Sequence, residues 1–277
     1  MLPLNPFDYC TDKVAKRGTA LFYATFQLPE AKRQAVAAIH AFRQEVQEAV
    51  VDISDPALGT VKLQWWRNQI AAAFDGTPQH PVALALQALV RTYTLPAQHF
   101  LAVIDGIEGD LAMPRYPDLA TLVRYCDLTG AVPNALAAEI LGYRDTRTID
   151  CVRDLGTACA LACVVRDVGR AARRDRIYLP ADEMARFSVT PADLIHGRYS
   201  DRFRALVEHQ IDRIERRLAT ALGDLPTIDR RSQRPVLALA AIARALLREI
   251  RIDGCRVLDR HTTLTPLRKL WIAWRAR

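Results

Sequence analysis

Nowhere in the 277 residues does an uninterrupted apolar run reach the roughly 18 residues that a membrane-crossing helix needs. The opening stretch MLPLNPFDYCTDKVAKRG lacks the charged-then-apolar order of an export signal, so a cytoplasmic protein is expected. Val/Ile/Thr alternation of the strand type is nearly absent, which argues against sheets. The six cysteines (Cys10, Cys126, Cys151, Cys159, Cys163 and Cys255) include no Cys-x-x-Cys pair. Most lie in Ala-rich surroundings and read as buried, reduced thiols. The six histidines form neither His-x-x-x-His nor a triad spacing, and none is assigned a catalytic role. A formal charge of +7 invites a polyanion, an anionic membrane or nucleic acid as partner. Because there is no Arg/Lys stripe with interleaved stacking aromatics and no zinc-finger spacing, nucleic acid is not expected.

What the chain does have is helical periodicity almost throughout, with half of its residues hydrophobic. Helices are expected at 17–26, 30–51, 56–75, 79–91, 96–110, 118–141, 146–172, 180–186, 190–195, 199–222, 230–258 and 264–276. Their punctuation is legible: Asp55-Pro56 and Leu95-Pro96 open helices, Asp75-Gly76-Thr77-Pro78 turns, and Gly223-Asp224-Leu225-Pro226 closes. No repeat or long linker divides them, so the expectation is an all-α bundle forming one domain over residues 1–277. The helix at 146–172 carries LGTACALACVV and reads as central. It ends in a burst of charge, Arg166-Asp167-Val168-Gly169-Arg170 and then Arg173-Arg174-Asp175-Arg176. Both a solvated helix end and a mouth that binds a polyanion fit that burst.

Several segments carry a resemblance, and they occur in order over nearly the whole chain: LFYATFQLPEAKRQAVAAIHAFRQEV, LQWWRNQIAAAFDGTPQHPVALAL, GIEGDLAMPRY, YCDLTGAVPNALAAEILGY, RDVGRAARRDRIYLP and LTPLRKLWIAWR. The sequence resembles the squalene/phytoene synthase family, and most closely the bacterial presqualene diphosphate synthases of hopanoid biosynthesis. The resemblance implies a single-domain isoprenoid-synthase bundle with a central cavity. Two acidic motifs on facing helices would hold Mg2+, which binds the diphosphate of a prenyl donor. Loss of that diphosphate gives an allylic cation, and the cation is attacked by the double bond of a second prenyl diphosphate. Such chemistry needs cations to stabilise the leaving group and a dry apolar cavity to keep water from the carbocation.

Against that pattern the acidic motifs are depleted. The family's Asp-Asp-x-x-Asp falls on Gln47-Glu48-Ala49-Val50-Val51, where Glu48 alone is acidic. Glu45, Glu48 and Asp52 are three and four residues apart, share a helix face, and form the remaining metal candidate with Asp167. In the second motif Asp167 persists while Ala171 stands at the other acidic position. Mg2+ is held through oxygen ligands, so weak magnesium binding and reduced or lost condensation are expected. Arg166, Arg170, Arg173 and Arg174 are candidates for holding a diphosphate without metal, since guanidinium groups grip phosphate bidentately. A basic surface patch paired with Asp167 and Asp175 is the alternative. The resemblance also assigns pocket roles to Asp110, Tyr116 and Tyr178, whereas Trp65 and Trp66 read as core and rim packing.

Two functional classes follow: a relative that keeps an isoprenoid-, membrane- or partner-binding role with little condensing activity, or an active transferase joining two farnesyl diphosphates head-to-head to presqualene diphosphate or squalene. The segment Leu267-Arg268-Lys269-Leu270-Trp271-Ile272-Ala273-Trp274-Arg275, within a tail at 264–277, mixes basic and aromatic residues as a peripheral contact with the inner membrane face would require. Packing of the two tryptophans onto the bundle is the other reading.

Overall fold

A computed structural model describes residues 5–51 and 56–276 of the chain. In order the helices are α1 (Pro6–Val14), α2 (Ala20–Thr25), α3 (Glu30–Val51), α4 (Pro56–Asp75), α5 (Pro81–Thr92), α6 (Ala97–Ala112) and α7 (Leu119–Cys126). After a π turn at Asp127–Ala131 come α8 (Val132–Leu141), α9 (Arg147–Ala172), α10 (Ala181–Arg186) and α11 (Pro191–Ile195). Three more follow: α12 (Asp201–Asp224), α13 (Arg234–Ile252) and α14 (Pro266–Arg275). Among the described residues there is no strand, only an isolated bridge between Arg115 and Ile177.

Starts are set by cap chemistry. Thr19, Asp118, Ser200 and Thr265 accept from the backbone N–H three residues on, and Thr190 with Asp193 forms a reciprocal capping box. The additional helix α1 opens on Asn5, whose side chain accepts from the N–H of Phe7, with Pro6 in the first turn. The expected helix at 118–141 is continuous in space but changes hand-hold midway: the π turn widens the backbone just before Pro133, which has no N–H to give. There the chain also crosses α9 at backbone contact, since a Cβ on Gly156 would lie 2.7 Å from the carbonyl oxygen of Gly130.

The main core is a continuous cluster that draws residues from α1 through α13, and a smaller one of Tyr23, Ala24, Ala238 and Ala273 joins α2, α13 and α14. Helix α9 packs against α12, α13, the π turn, α8, α7 and α11. Helix α3 packs against α1, α8, α5, α4 and α6. Helix α8 touches both and so spaces α3 from α9.

Candidate functional site

On α3 the residues 36, 40, 43 and 47 fall on one row. Val36 is buried, but His40, Arg43 and Gln47 are partly accessible although the helix is packed on several sides. The same pattern recurs on α9: Leu161, Ala162, Val165 and Val168 are buried, while Ala160, Val164, Asp167 and Ala171 are partly accessible and Cys163 is exposed. We read the accessible positions on these packed helices as the lining of a recess between α3 and α9. The end of α7 joins the two linings, because Arg43 lies within electrostatic reach of Tyr125 and Cys126, and Cys126 lies within reach of Cys163. Burial and the neighbouring Arg43 charge hold the His40 pKa down at about 4, so its ring is neutral. Burial pushes the Cys159 thiol up to about 12, as expected of an inert thiol.

The predicted metal face of α3 turns elsewhere. Tyr9 of α1 donates to Glu45 at 2.5 Å, and the Lys13 ammonium bridges Glu45 at 2.9 Å and Glu48 at 2.6 Å. Although burial opposes its charge, Glu48 is held below the usual carboxylate range by hydrogen bonds from Lys13 and Gln44. Lys13 is raised in turn, its desolvation outweighed by the two carboxylates. Glu45 and Glu48 border an open surface pocket shared with Lys62, Trp65, Trp66 and His80. There Trp66 is core, 3% exposed and edge-on to Phe42, and Trp65 is rim at 41%, as expected from the sequence. Asp52 lies outside the described residues.

At the end of α9, Asp167 receives Arg166 through two hydrogen bonds, at 2.5 and 3.1 Å, and meets His261 Nε2 at 3.0 Å. Burial opposes its charge, yet Arg166 keeps Asp167 below the ordinary range. Of the four arginines named from the sequence, Arg166 is partly buried within reach of Cys163 and is raised by that sulfur and by Asp167 against its own desolvation. Arg170 is exposed, and Arg173 donates to the carbonyl oxygen of Leu258 at 3.0 Å. Arg174 is exposed as well. Arg166 and Arg173 are thus engaged by different partners, the Asp167 carboxylate and the Leu258 carbonyl.

The residues assigned to the pocket do assemble. Asp110, with a side chain 12% exposed, accepts from Tyr116 at 2.8 Å and from Tyr178 at 2.9 Å, and pairs with Arg176 at 2.9 Å. Arg176 also donates to the Asp110 carbonyl. Tyr116 and Tyr178 stack with centroids 5.4 Å apart, and Tyr125 leans on both at 5.8 and 5.7 Å. Burial and the Asp110 charge push the Tyr116 and Tyr178 hydroxyls far above their usual range, so both remain protonated donors. Sequence reasoning passed over Arg43, His40 and Tyr125. The signal for the first two was available, since both share the helical row of Gln47.

A divalent ion is poorly served by this arrangement. Among the described residues no three His, Cys, Asp or Glu side chains gather closely enough to hold one. Glu45 and Glu48 are committed to Lys13, Asp167 is committed to Arg166 and His261, and Gln47, Val51 and Ala171 hold the other positions where the resemblance expects acids.

A single bundle of helices built around two long, multiply packed helices defines a class, and structural comparison agrees. A dehydrosqualene synthase solved with a ligand superposes with a TM-score of 0.86 at 23% identity, covering 98% of this chain and 95% of that one. A squalene synthase from Alicyclobacillus acidocaldarius superposes with a TM-score of 0.78 at 22% identity, covering 90% and 94%. These likenesses establish the isoprenoid-synthase helical fold. In sequence, the family model for squalene/phytoene synthases matches residues 14–268. The 15-cis-phytoene synthase of Synechococcus elongatus is 28% identical over 276 residues, covering 95% of this chain and 90% of its own. The phytoene synthase of Arthrospira platensis is 28% identical over 279 residues, covering 96% and 90%. The chain belongs to the squalene/phytoene synthase family.

Proposed function

We propose that this protein binds a prenyl diphosphate or a related isoprenoid in the recess between α3 and α9, and that head-to-head condensation is strongly reduced or lost. The observation carrying the reading is the capture of Glu45 and Glu48 by Lys13, which leaves Asp167 without a facing carboxylate among the described residues. Condensation requires the diphosphate to leave as charge accumulates on it, and that charge needs concentrated cationic stabilisation. By contrast, binding needs only the apolar wall of α9, the tyrosines around Asp110 and a cationic anchor. The matching phytoene synthases and the ligand-bound dehydrosqualene synthase support an isoprenoid as the ligand class. We further propose that the protein works at a membrane surface, resting on α14.

The test is incubation of purified protein with farnesyl diphosphate, Mg2+ and a reductant. Diphosphate release at the level of the protein-free blank, with neither presqualene diphosphate nor squalene, is expected. Sustained turnover that Glu48→Ala or Asp167→Ala abolishes would overturn the reading in favour of an active transferase.

A further inference from the structure

Among the described residues Arg43 of α3 is a charge with no counter-charge. Arg43 projects from the α3 row that includes His40 and Gln47, and its guanidinium donates to the Gln47 side-chain oxygen at 2.9 Å. That partner is a neutral amide. The Arg43 Nε is fully buried and has no hydrogen-bond partner. Among the described residues no carboxylate pairs with Arg43, and Glu45 and Glu48, the acids next to it along α3, are taken by Lys13. A partly enclosed guanidinium with a buried, unpartnered Nε and no carboxylate beside it is costly, and an arriving anion would relieve that cost.

We propose, building on the isoprenoid-binding reading above, that Arg43 takes the role of a metal ion in this recess. It grips the phosphate of a prenyl mono- or diphosphate directly, and binding is independent of Mg2+. Three features converge on this. Gln47 stands where the family's first motif begins, so Arg43 lies one helical turn from the position of an expected metal ligand and its positive charge repels a divalent ion there. The neutral His40 adds no competing charge beneath it. Cys126, within electrostatic reach of both Arg43 and Cys163, connects Arg43 to the accessible Cys163 and Val164 of α9, which offer apolar surface for a hydrocarbon chain. Planar guanidinium forks match phosphate oxygens in two-point contacts, which a substrate anchor needs and a leaving-group trap can lack.

Isothermal titration with farnesyl S-thiolodiphosphate, in EDTA and again in Mg2+, tests the idea on the wild type and three variants. The wild type is expected to bind equally in both buffers, Arg43→Met to lose at least tenfold in affinity, and Arg202→Ala, at an exposed arginine of α12, to bind as the wild type does. Gln47→Asp separates the two accounts by sign. If Arg43 is the anchor, the new carboxylate neutralises it and weakens binding in both buffers. If a metal is the anchor, the restored acid strengthens binding in Mg2+ alone. Binding seen only with Mg2+, an unchanged Arg43→Met, or a magnesium-dependent gain in Gln47→Asp each overturns the proposal while leaving the isoprenoid reading intact. Failure of the wild type to bind either the thiolodiphosphate or farnesol, in either buffer, overturns both.

Discussion

His40 is a neutral base enclosed in the protein next to a fixed positive charge, and this makes it a source of acid sensitivity. Its pKa falls from 6.5 to about 4 on folding, so the folded state refuses a proton that the unfolded chain accepts. Stability from this group is complete above about pH 6.5 and is lost as pH falls toward 4, on the order of 3 kcal/mol at ~1.4 kcal/mol per unit. Depressed carboxylates such as Asp167 and Glu48 contribute a separate loss at lower pH, as they become protonated. Urea midpoints measured from pH 7.5 to 4.0 should therefore fall less steeply in His40→Gln than in the wild type. Arg43→Met should give an intermediate slope, because burial is the larger cause and Arg43 the smaller. Identical slopes for all three proteins would remove the buried neutral imidazole from the account.

At the scale of helices, the end of α9 is held by a loop rather than by a neighbouring helix. The Gly169 N–H donates to the carbonyl oxygen of Val257 at 3.2 Å, and a Cβ on Gly169 would lie 2.3 Å from the Leu258 oxygen and 2.6 Å from that of Val257. Both obstacles are backbone and cannot rotate away. Gly169→Ala should cost about 2–3 kcal/mol and lower the melting temperature by roughly 5–10 °C. On α6, Gly109 has nothing within 4 Å of its would-be Cβ, and Gly109→Ala should stabilise by up to about 1 kcal/mol. Differential scanning calorimetry of the two variants checks both signs. These helices also show what the sequence made legible. Spacing and caps located α3, α9 and α12 closely, because amphipathic periodicity and turn residues act locally. Helix α1 escaped because its polar pattern, with Asp8, Asp12 and Lys13, has little apolar period beyond the Asn5-Pro6 start. Its Lys13 then proved decisive, claiming Glu45 and Glu48 from about thirty residues away in the chain, and no local rule announces such a pairing. The cluster of Asp110, Tyr116 and Tyr178 was readable through the resemblance, whereas the engagement of Arg173 by the Leu258 carbonyl depends on a loop some 85 residues away in the chain.

For the molecule as a whole, the asymmetry lies in α14. Ala273 packs onto Tyr23, Ala24 and Ala238, fixing which side of the helix faces the bundle. The other side carries Leu267, Leu270, Trp271 and Trp274 at 79, 36, 56 and 58% exposure, spaced as one stripe. Thus the tail docks through alanine, and the tryptophans that could have packed inward stay outside. Arg275 lies over the Trp271 ring at 4.7 Å, Arg268 flanks the stripe, and Lys16 and Arg17 are exposed beside Gly18, which accepts from Lys269. The ten residues of α14 span about 15 Å, half a hydrocarbon core, and among the described residues no helix is long and apolar enough to cross a membrane. A stripe of this kind with a basic rim and a net charge of +7 fits the surface of an anionic bilayer, where tryptophan settles at head-group depth. The protein should therefore co-sediment with phosphatidylglycerol vesicles and much less with phosphatidylcholine vesicles, and bind less at high salt. The double variant Trp271→Ser, Trp274→Ser should lose most of that binding while keeping its melting temperature, because neither ring is part of the core. Equal sedimentation of wild type and variant would discard α14 as the contact. A wild type that stays in the supernatant and elutes as a dimer dispersed by the same variant would assign the stripe to a second copy of the chain instead.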